Sequence, residues 1–316
     1  MRKICTMLII ILVHHLSFGQ QDPQFSQYMF NTLFYNPAFA GVEGITQFTA
    51  IHRTQWTGYT STFDGGRGNP STQMISLNTP ILKFNSGFGM HVVNDNLGPL
   101  NNLEAQMSYA YHLGLKNGKI SFGIKAGIFS QSIDRNEYRP NVSPDPLIDA
   151  GEDSQIRPDL AFGIYYRTEK YFGGVSVNHI TKAEFDFGEA GSRNALEQHM
   201  IITGGYDYEF NYKLIITPSV LVKTDFNSYS FDLGVIGTYN EKMWGGLSFR
   251  QSEAMIIILG YSLLKDNSLK LGYSFDYVIQ NQDAKEPTSH EFMLSYTLPP
   301  AIAGGKKIIR TPRFRH

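Results

Sequence analysis

Residues 103–113 read LEAQMSYAYHL, and they decide the fold class because apolar and polar side chains alternate along them with a period of two. One face carries leucine, alanine, methionine and tyrosine, and the other carries glutamate, glutamine, serine, alanine and histidine. Successive side chains of a β-strand point to opposite faces of a sheet, so this spacing predicts a strand with one apolar and one polar face. Residues 269–277 (LKLGYSFDY) and 291–298 (EFMLSYTL) repeat the arrangement.

About fourteen such segments follow one another between residues 45 and 299, an even number, as a single-chain bacterial membrane barrel requires. Residues 116–119 (KNGK) contain Asn-Gly, which is a strong hairpin signal. Polar loops over 57–70, 135–158 and 185–195 are longer, and short turns opposite long loops are typical of outer-membrane barrels. The segment that begins at residue 45 alternates least cleanly.

Composition favours a membrane protein that spans by strands. Charged residues make up 17% of the 316 residues and aromatic residues 13%. After the first twenty residues no run is apolar enough for a membrane helix, whereas barrel strands average to an unremarkable hydropathy. A soluble sandwich or propeller would also alternate. Aromatic residues cluster at the segment ends, as at bilayer interfaces, and no propeller repeat is present, so we predict an all-β transmembrane antiparallel barrel of about 14 strands.

Residues 1–19 have the pattern of a Sec signal peptide. Arg2 and Lys3 precede the apolar run MLIIILV (7–13), and Gly19 offers a small residue for cleavage. Cys5, the one cysteine, would leave with this peptide, so the mature chain would have no thiol chemistry. Cleavage leaves 25 basic residues against 28 acidic ones, which gives no case for nucleic-acid binding. The sequence therefore predicts export to the cell outer membrane.

The polar faces of the strands are expected to line the barrel lumen. They carry charges of both signs in similar numbers, which predicts a hydrated lumen with paired charges rather than a selective pore. The charged or titratable residues assigned to this face are Glu104, His112, Lys125, Asp159, Arg167, Asp207, Glu209, Lys223, Asp232, Lys270, Asp276 and Glu291. We find no nucleophile, phosphate-loop or metal-ligand motif, so the sequence predicts no enzyme activity, no cofactor and no metal.

The most specific stretch is residues 21–41, QDPQFSQYMFNTLFYNPAFAG, which are rich in aromatic side chains and contain no basic residue. We assign residues 20–44 to a periplasmic or plug segment, with Asn36-Pro37 turning the chain toward the first strand of a barrel over 45–299. Its candidate partner-binding residues are Phe25, Tyr28, Phe30, Asn36, Pro37 and Gly41.

The motifs DPQFSQYM (22–29), YNPAFAG (35–41) and HRTQW (52–56) resemble the opening of the PorP/SprF family of the Bacteroidota type IX secretion system. The opening maps onto Asn36, Pro37, Ala38, Gly41, Arg53, Gln55 and Trp56, for which we expect a structural role. The resemblance implies an outer-membrane accessory protein that assists export or surface attachment of a partner adhesin or other secreted protein. One branch of the family instead works with the periplasmic ring lipoproteins of the secretion and gliding machinery, and the sequence does not choose between them.

Residues 300–316 form a predicted basic periplasmic tail, because an even strand number places both chain ends in the periplasm. The tail is either solvated or docked on an acidic periplasmic partner, which charge attraction would favour. Its positive residues are Lys306, Lys307, Arg310, Arg313 and Arg315. A passive porin-type channel for small solutes is the alternative function that the sequence leaves open.

Overall fold

A computed structural model of the chain describes residues 22–59, 69–137, 151–187, 194–264, 266–280 and 285–299. The predicted signal peptide and the predicted basic tail lie outside these residues.

Fourteen antiparallel strands form a closed barrel, which confirms the predicted fold class. Each strand pairs with its neighbours in the chain, and the first strand pairs with the last through Gln47 opposite Thr297. The strands are β1 Gln47–Thr54, β2 Ser71–Ile81, β3 Ser86–Leu97, β4 Leu100–Leu115, β5 Gly118–Asp134, β6 Glu152–Arg167, β7 Tyr171–Asn178, β8 His199–Tyr206 continuing as Tyr208–Asn211, β9 Leu214–Thr224, β10 Tyr229–Tyr239, β11 Met243–Arg250, β12 Ala254–Leu263, β13 Leu269–Val278 and β14 Thr288–Thr297.

The two ends of the barrel differ in their connections. The end that holds the start of β1 and the end of β14 has only connections of a few residues, such as the Lys116-Asn117 turn between β4 and β5. We call this end the turn rim. The opposite end, the loop rim, carries the long connections over 55–70, 135–151 and 179–198. The last of these contains a small hairpin of Glu184–Phe185 with Asn194–Ala195.

Alternation along the strands separates an apolar outer surface from a polar interior. On the outer surface Met107 is 58% exposed and Ile124 is 59% exposed, while the adjacent Ser108 and Lys125 are buried inside. Such an outward apolar band is what a lipid bilayer requires of a barrel. None of the helices among the described residues has the length and apolar content needed to cross a membrane.

One loop boundary was predicted wrongly. Strand β6 begins at Glu152, although the sequence pattern placed residues 135–158 in a loop. The ladder with β5 continues to Asp134 opposite Glu152, and Arg135 forms an ion pair with Asp153 at 2.7 Å. Pairing with the long strand β5 therefore recruits a polar stretch without apolar alternation into the sheet.

Candidate functional site

Residues 22–46, here called the luminal segment, run through the interior of the barrel. They form a 3₁₀ turn at Tyr28–Phe30, a single helical turn at Thr32–Tyr35 and a second 3₁₀ turn at Pro37–Phe39. The segment starts near the loop rim, where Asp22 contacts His179, and reaches the turn rim where β1 begins. The chain therefore crosses the lumen once before it enters the wall.

A cluster of charged wall residues holds the first part of the luminal segment. The backbone N–H groups of Ser26 and Gln27 donate to the two carboxylate oxygens of Glu291, at 2.7 and 2.9 Å. The Ser26 hydroxyl donates to Asp276 at 2.6 Å, and Arg53 forms an ion pair with Asp276 at 2.8 Å. We call Arg53, Asp276 and Glu291 the carboxylate anchor, and all three are buried. Charge-assisted hydrogen bonds of this kind are about twice as strong as neutral ones.

Arg250 and Ser219 fix the neighbouring residues of the segment. The Arg250 guanidinium donates to the Phe25 carbonyl at 2.9 Å and is paired with Asp232 at 3.1 Å. The Tyr28 hydroxyl lies 2.9 Å from the Ser219 hydroxyl.

Asn36 organises the middle of the segment. Its side-chain oxygen accepts from the Ala38 N–H at 2.9 Å, which caps the 3₁₀ turn that Pro37 begins. Its side-chain nitrogen donates to the backbone carbonyls of Ile164 and Val175, at 3.0 and 3.3 Å. One amide thus closes the local turn and attaches it to strands β6 and β7.

Glycines of the wall make room for this turn. A Cβ added at Gly163 would lie 2.1 Å from the Asn36 side-chain oxygen, and one at Gly123 would lie 2.3 Å from the Ala38 nitrogen. Real Cβ atoms essentially never approach other atoms to less than 3.0 Å. The backbone of the segment therefore rests directly on the backbone of the wall.

Gly41 turns the segment toward the turn rim. Its φ of +70° lies in the left-handed region that favours glycine, and its N–H donates to Asn78 at 2.6 Å. The next residue, Val42, accepts a hydrogen bond from Lys119 through its carbonyl. A side chain at position 41 would meet both strain and the backbone of Gly87.

The luminal segment packs against an apolar cluster on the otherwise polar inner surface, so the interior at its level is not the hydrated lumen that the sequence predicted. Aromatic side chains of the luminal segment pack against inward-facing apolar residues of the wall, and the Phe30 and Trp244 rings lie 5.4 Å apart. The main members are Phe25, Tyr28, Phe34, Tyr35, Ile51, Met74, Val93, Ile201, Leu221, Ile236, Trp244, Ile256, Ile258 and Met293. This packing explains the poor alternation of β1, because Ile51 faces the aromatic segment and not water.

Several inward charges pair within the wall, as the sequence indicated. Glu104 lies 2.9 Å from His91 and 3.7 Å from Lys125, and Arg167 lies 2.8 Å from Asp207. Lys125 also donates to the Phe34 carbonyl at 3.2 Å, so this group holds the segment as well. Glu209 is the exception, since it is exposed on the short continuation of β8.

Near the loop rim the start of the segment meets two histidines. The Asp22 carboxylate lies 2.8 Å from His179 Nε2 and 3.4 Å from His199 Nδ1, and His179 Nδ1 lies 2.9 Å from Asp159. Burial would raise the pKa of Asp22, but the two imidazoles outweigh it and hold that pKa well below its usual range. Burial would lower the pKa of His179, but Asp22 and Asp159 raise it to about 10.

The predicted partner-binding residues fall into two groups, those of the luminal segment and those of the basic tail. Phe25, Tyr28, Asn36, Pro37 and Gly41 are buried in the lumen and Phe30 is partly buried, so in this structure their contacts are with the barrel itself. Binding of another protein by these residues stays a prediction. The five basic residues of the tail lie outside the described residues.

Sequence reasoning missed Arg250 and the inward-facing glycines as parts of this site. The sequence does carry a signal for the glycines, because they recur on the polar faces of the strands, where a hydrated lumen would not require a residue without a side chain. The assignment of Glu291 and Asp276 to the lumen was available from alternation, but their hydrogen bonds to the segment were not.

Comparisons with known proteins agree with this architecture. The family model described as the type IX secretion system membrane protein PorP/SprF matches residues 17–296. No curated protein matches the sequence. Among solved structures, the CymD monoaromatic hydrocarbon channel is 12% identical with a TM-score of 0.50, covering 84% of this chain and 91% of that one. A Pseudomonas aeruginosa FadL homologue is 14% identical with a TM-score of 0.46, covering 84% and 93%. At such identities the likeness concerns the fold alone.

Proposed function

The chain belongs to the PorP/SprF family of type IX secretion system membrane proteins, and on that premise we propose that it is a closed outer-membrane accessory barrel that assists export or surface attachment of a partner adhesin or other secreted protein. The family and the fold are of a secretion or transport kind, and we propose no catalytic role. The family has two branches, and in this proposal the branch to which the chain belongs decides whether its functional contacts are with the secreted protein or with periplasmic ring lipoproteins.

The filled lumen supports this proposal over the porin alternative. Phe25, Ser26 and Gln27 lie within the barrel, and none of them has measurable exposure to solvent. A water-filled channel past this level would expose their side chains. A solute pore needs weakly held, hydrated contacts along its path, whereas the luminal segment at this level is held by buried ion pairs and aromatic packing.

The proposed orientation places the turn rim in the periplasm and the loop rim outside the cell. Short periplasmic turns and longer outer loops are the rule for such barrels. The protein partners would then be met at the rims, since the interior is occupied. We also propose that Lys306, Lys307, Arg310, Arg313 and Arg315 dock on an acidic periplasmic partner, since they concentrate five positive charges in eleven residues.

A deletion strain tests the proposed function. We expect loss of one or a few specific proteins from the cell surface, restored by the full-length chain, with solute uptake unchanged. Complementation with a chain that lacks residues 306–316 tests the tail, and unchanged export with unchanged co-purification of periplasmic proteins would reject docking. Loss of solute uptake with normal secretion, together with stable conductance of the purified chain in planar bilayers, would support the porin function instead.

A further inference from the structure

Three side chains from separate parts of the chain converge where the luminal segment begins. Asp22 comes from the segment, His179 follows strand β7, and His199 begins strand β8. One ligand atom from each residue lies within 4.8 Å of the other two. Tetrahedral zinc with bonds of 2.0–2.2 Å keeps its ligand atoms about 3.4 Å apart, so small side-chain movements would complete the geometry.

One nitrogen of this cluster is held only by a long contact. His199 is 93% buried, and its Nδ1, 3.4 Å from Asp22 Oδ2, makes no hydrogen bond to any described residue. A buried polar atom that lacks a hydrogen bond costs about 1–3 kcal/mol, and the 3.4 Å contact with Asp22 offsets only part of that cost. A metal ion between the carboxylate and the two imidazoles would give this nitrogen a direct bond in place of the long contact.

Asp159 gives His179 the second contact that metal-bound histidines have. The Asp159 carboxylate lies 2.9 Å from Nδ1, while Nε2 points to Asp22. Metal-ligating histidines almost always donate their other ring N–H to a carboxylate, a carbonyl or water, which fixes the tautomer. This arrangement leaves Nε2 free to bind a metal once its proton is displaced.

We propose that Asp22, His179 and His199 bind one Zn²⁺ ion, which fastens the start of the luminal segment to the loop-rim ends of β7 and β8. Two imidazole nitrogens and one carboxylate oxygen suit zinc better than calcium or magnesium, which take oxygen ligands. A small cavity lined by Asp22, His199, Lys223 and Thr224 leaves room for water as the fourth ligand. The site goes beyond the proposed secretion role and does not depend on it.

Lys223 makes the proposal more specific. Its side chain lines the same cavity, so its positive charge opposes the binding of a cation. Lys223→Met keeps the length of the side chain and removes the charge. We therefore expect this variant to bind zinc more tightly than the wild type, which an ion bound elsewhere on the chain would not show.

The test uses the purified full-length chain in detergent, carrying a tag without histidine and stripped of metal with a chelator. Zn²⁺ is titrated against a chromophoric competitor, and Co²⁺ serves as a spectroscopic probe of tetrahedral coordination. We expect one ion per chain, binding about 10–100-fold weaker in Asp159→Asn, as for other residues that orient a metal ligand, and loss of stoichiometric binding in His199→Ala. His290→Ala is the matched control, because His290 is a partly buried strand histidine that contacts Tyr273 and not this cluster.

His199→Ala is the gentlest variant, since the Nδ1 it removes makes no hydrogen bond, and heat-modifiable gel migration verifies that each variant is folded. Should the variants not fold, the wild type alone decides through its stoichiometry and its Co²⁺ spectrum. Zinc binding by His199→Ala equal to that of the wild type, or no tetrahedral Co²⁺ bands from the wild type, would overturn the proposal.

Discussion

Gly123 lies beneath the Asn36–Ala38 turn, and replacing it with alanine should disturb the luminal segment. The added Cβ would lie 2.3 Å from the Ala38 nitrogen, whereas ordinary contact begins at 3.4 Å. About 1 Å of overlap would have to be relieved between two backbones, neither of which can turn aside as a flexible side chain would.

Either way of relieving the overlap has a similar cost. Strain from overpacking a well-packed interior costs about 1–3 kcal/mol. Lifting the turn would instead break the hydrogen bonds from Asn36 to Ile164 and Val175, each worth about 1 kcal/mol. We therefore expect Gly123→Ala to lower the free energy of unfolding by about 2–3 kcal/mol.

Urea titration of the barrel in phospholipid vesicles measures this change, and hydrogen exchange of the luminal segment locates it. Gly114→Ala is the matched control, because Gly114 lies on the adjacent strand and its added Cβ would meet nothing within 4 Å. Gly114→Ala should be neutral or slightly stabilising, since alanine restricts the unfolded chain. Equal stability of Gly123→Ala and Gly114→Ala would refute the close packing of the segment against the wall.

Two further predictions concern charges. Arg53→Met leaves the buried carboxylates of the carboxylate anchor without their nearest cation, so the free energy of unfolding should fall by about 3–5 kcal/mol. Lys213 is exposed, and the control variant Lys213→Met should change the free energy of unfolding by under about 0.5 kcal/mol. A small effect of Arg53→Met in urea titration would contradict the ion-pair account. In the chain stripped of metal, the pKa of His179 is raised to about 10, so its stabilisation is complete below 6.5 and declines as the pH rises through 10. The lowered pKa of Asp22 makes its stabilisation complete above 3.8, and this stabilisation is lost as the pH falls through the lowered value. Hydrogen-exchange protection of the luminal segment, corrected for intrinsic rates, should therefore be highest between these two values, and an alkaline decline that persists in His179→Gln would disprove the assignment.

Sequence alternation identified most of the barrel wall because each strand carries its own pattern of lipid-facing and inward-facing side chains. Each strand must offer apolar side chains to lipid and different ones to the interior, so the period of two is written into every segment. The same reasoning failed at β1 and at the start of β6. Ile51 breaks the alternation because it faces inward into the apolar cluster that contains the aromatic luminal segment. Glu152 joins the sheet because a long neighbouring strand continues the hydrogen-bond ladder.

The family resemblance likewise identified residues that hold the luminal segment, but it did not predict which wall residues they contact. Asn36, Gly41 and Arg53 stand in the matched opening, and each makes a hydrogen bond that ties the luminal segment to the wall. Their partners lie from 27 positions away, for Arg53 with Ser26, to 223 positions away, for Arg53 with Asp276 (276 − 53 = 223). Nothing in a single sequence fixes separations of that size.

The sequence alone determined that the chain is a membrane barrel built of strands, with an aromatic segment before its first strand. Hydrophobic periodicity and turn chemistry determine this much because they act between near neighbours in the chain. Only the tertiary structure decided that this luminal segment lies inside the barrel and runs from the loop rim to the turn rim. That arrangement depends on glycines, carboxylates and arginines of many different strands meeting one segment at once. Closure of the barrel brings them together, and the close packing of the interior then leaves Phe25 without exposure to solvent.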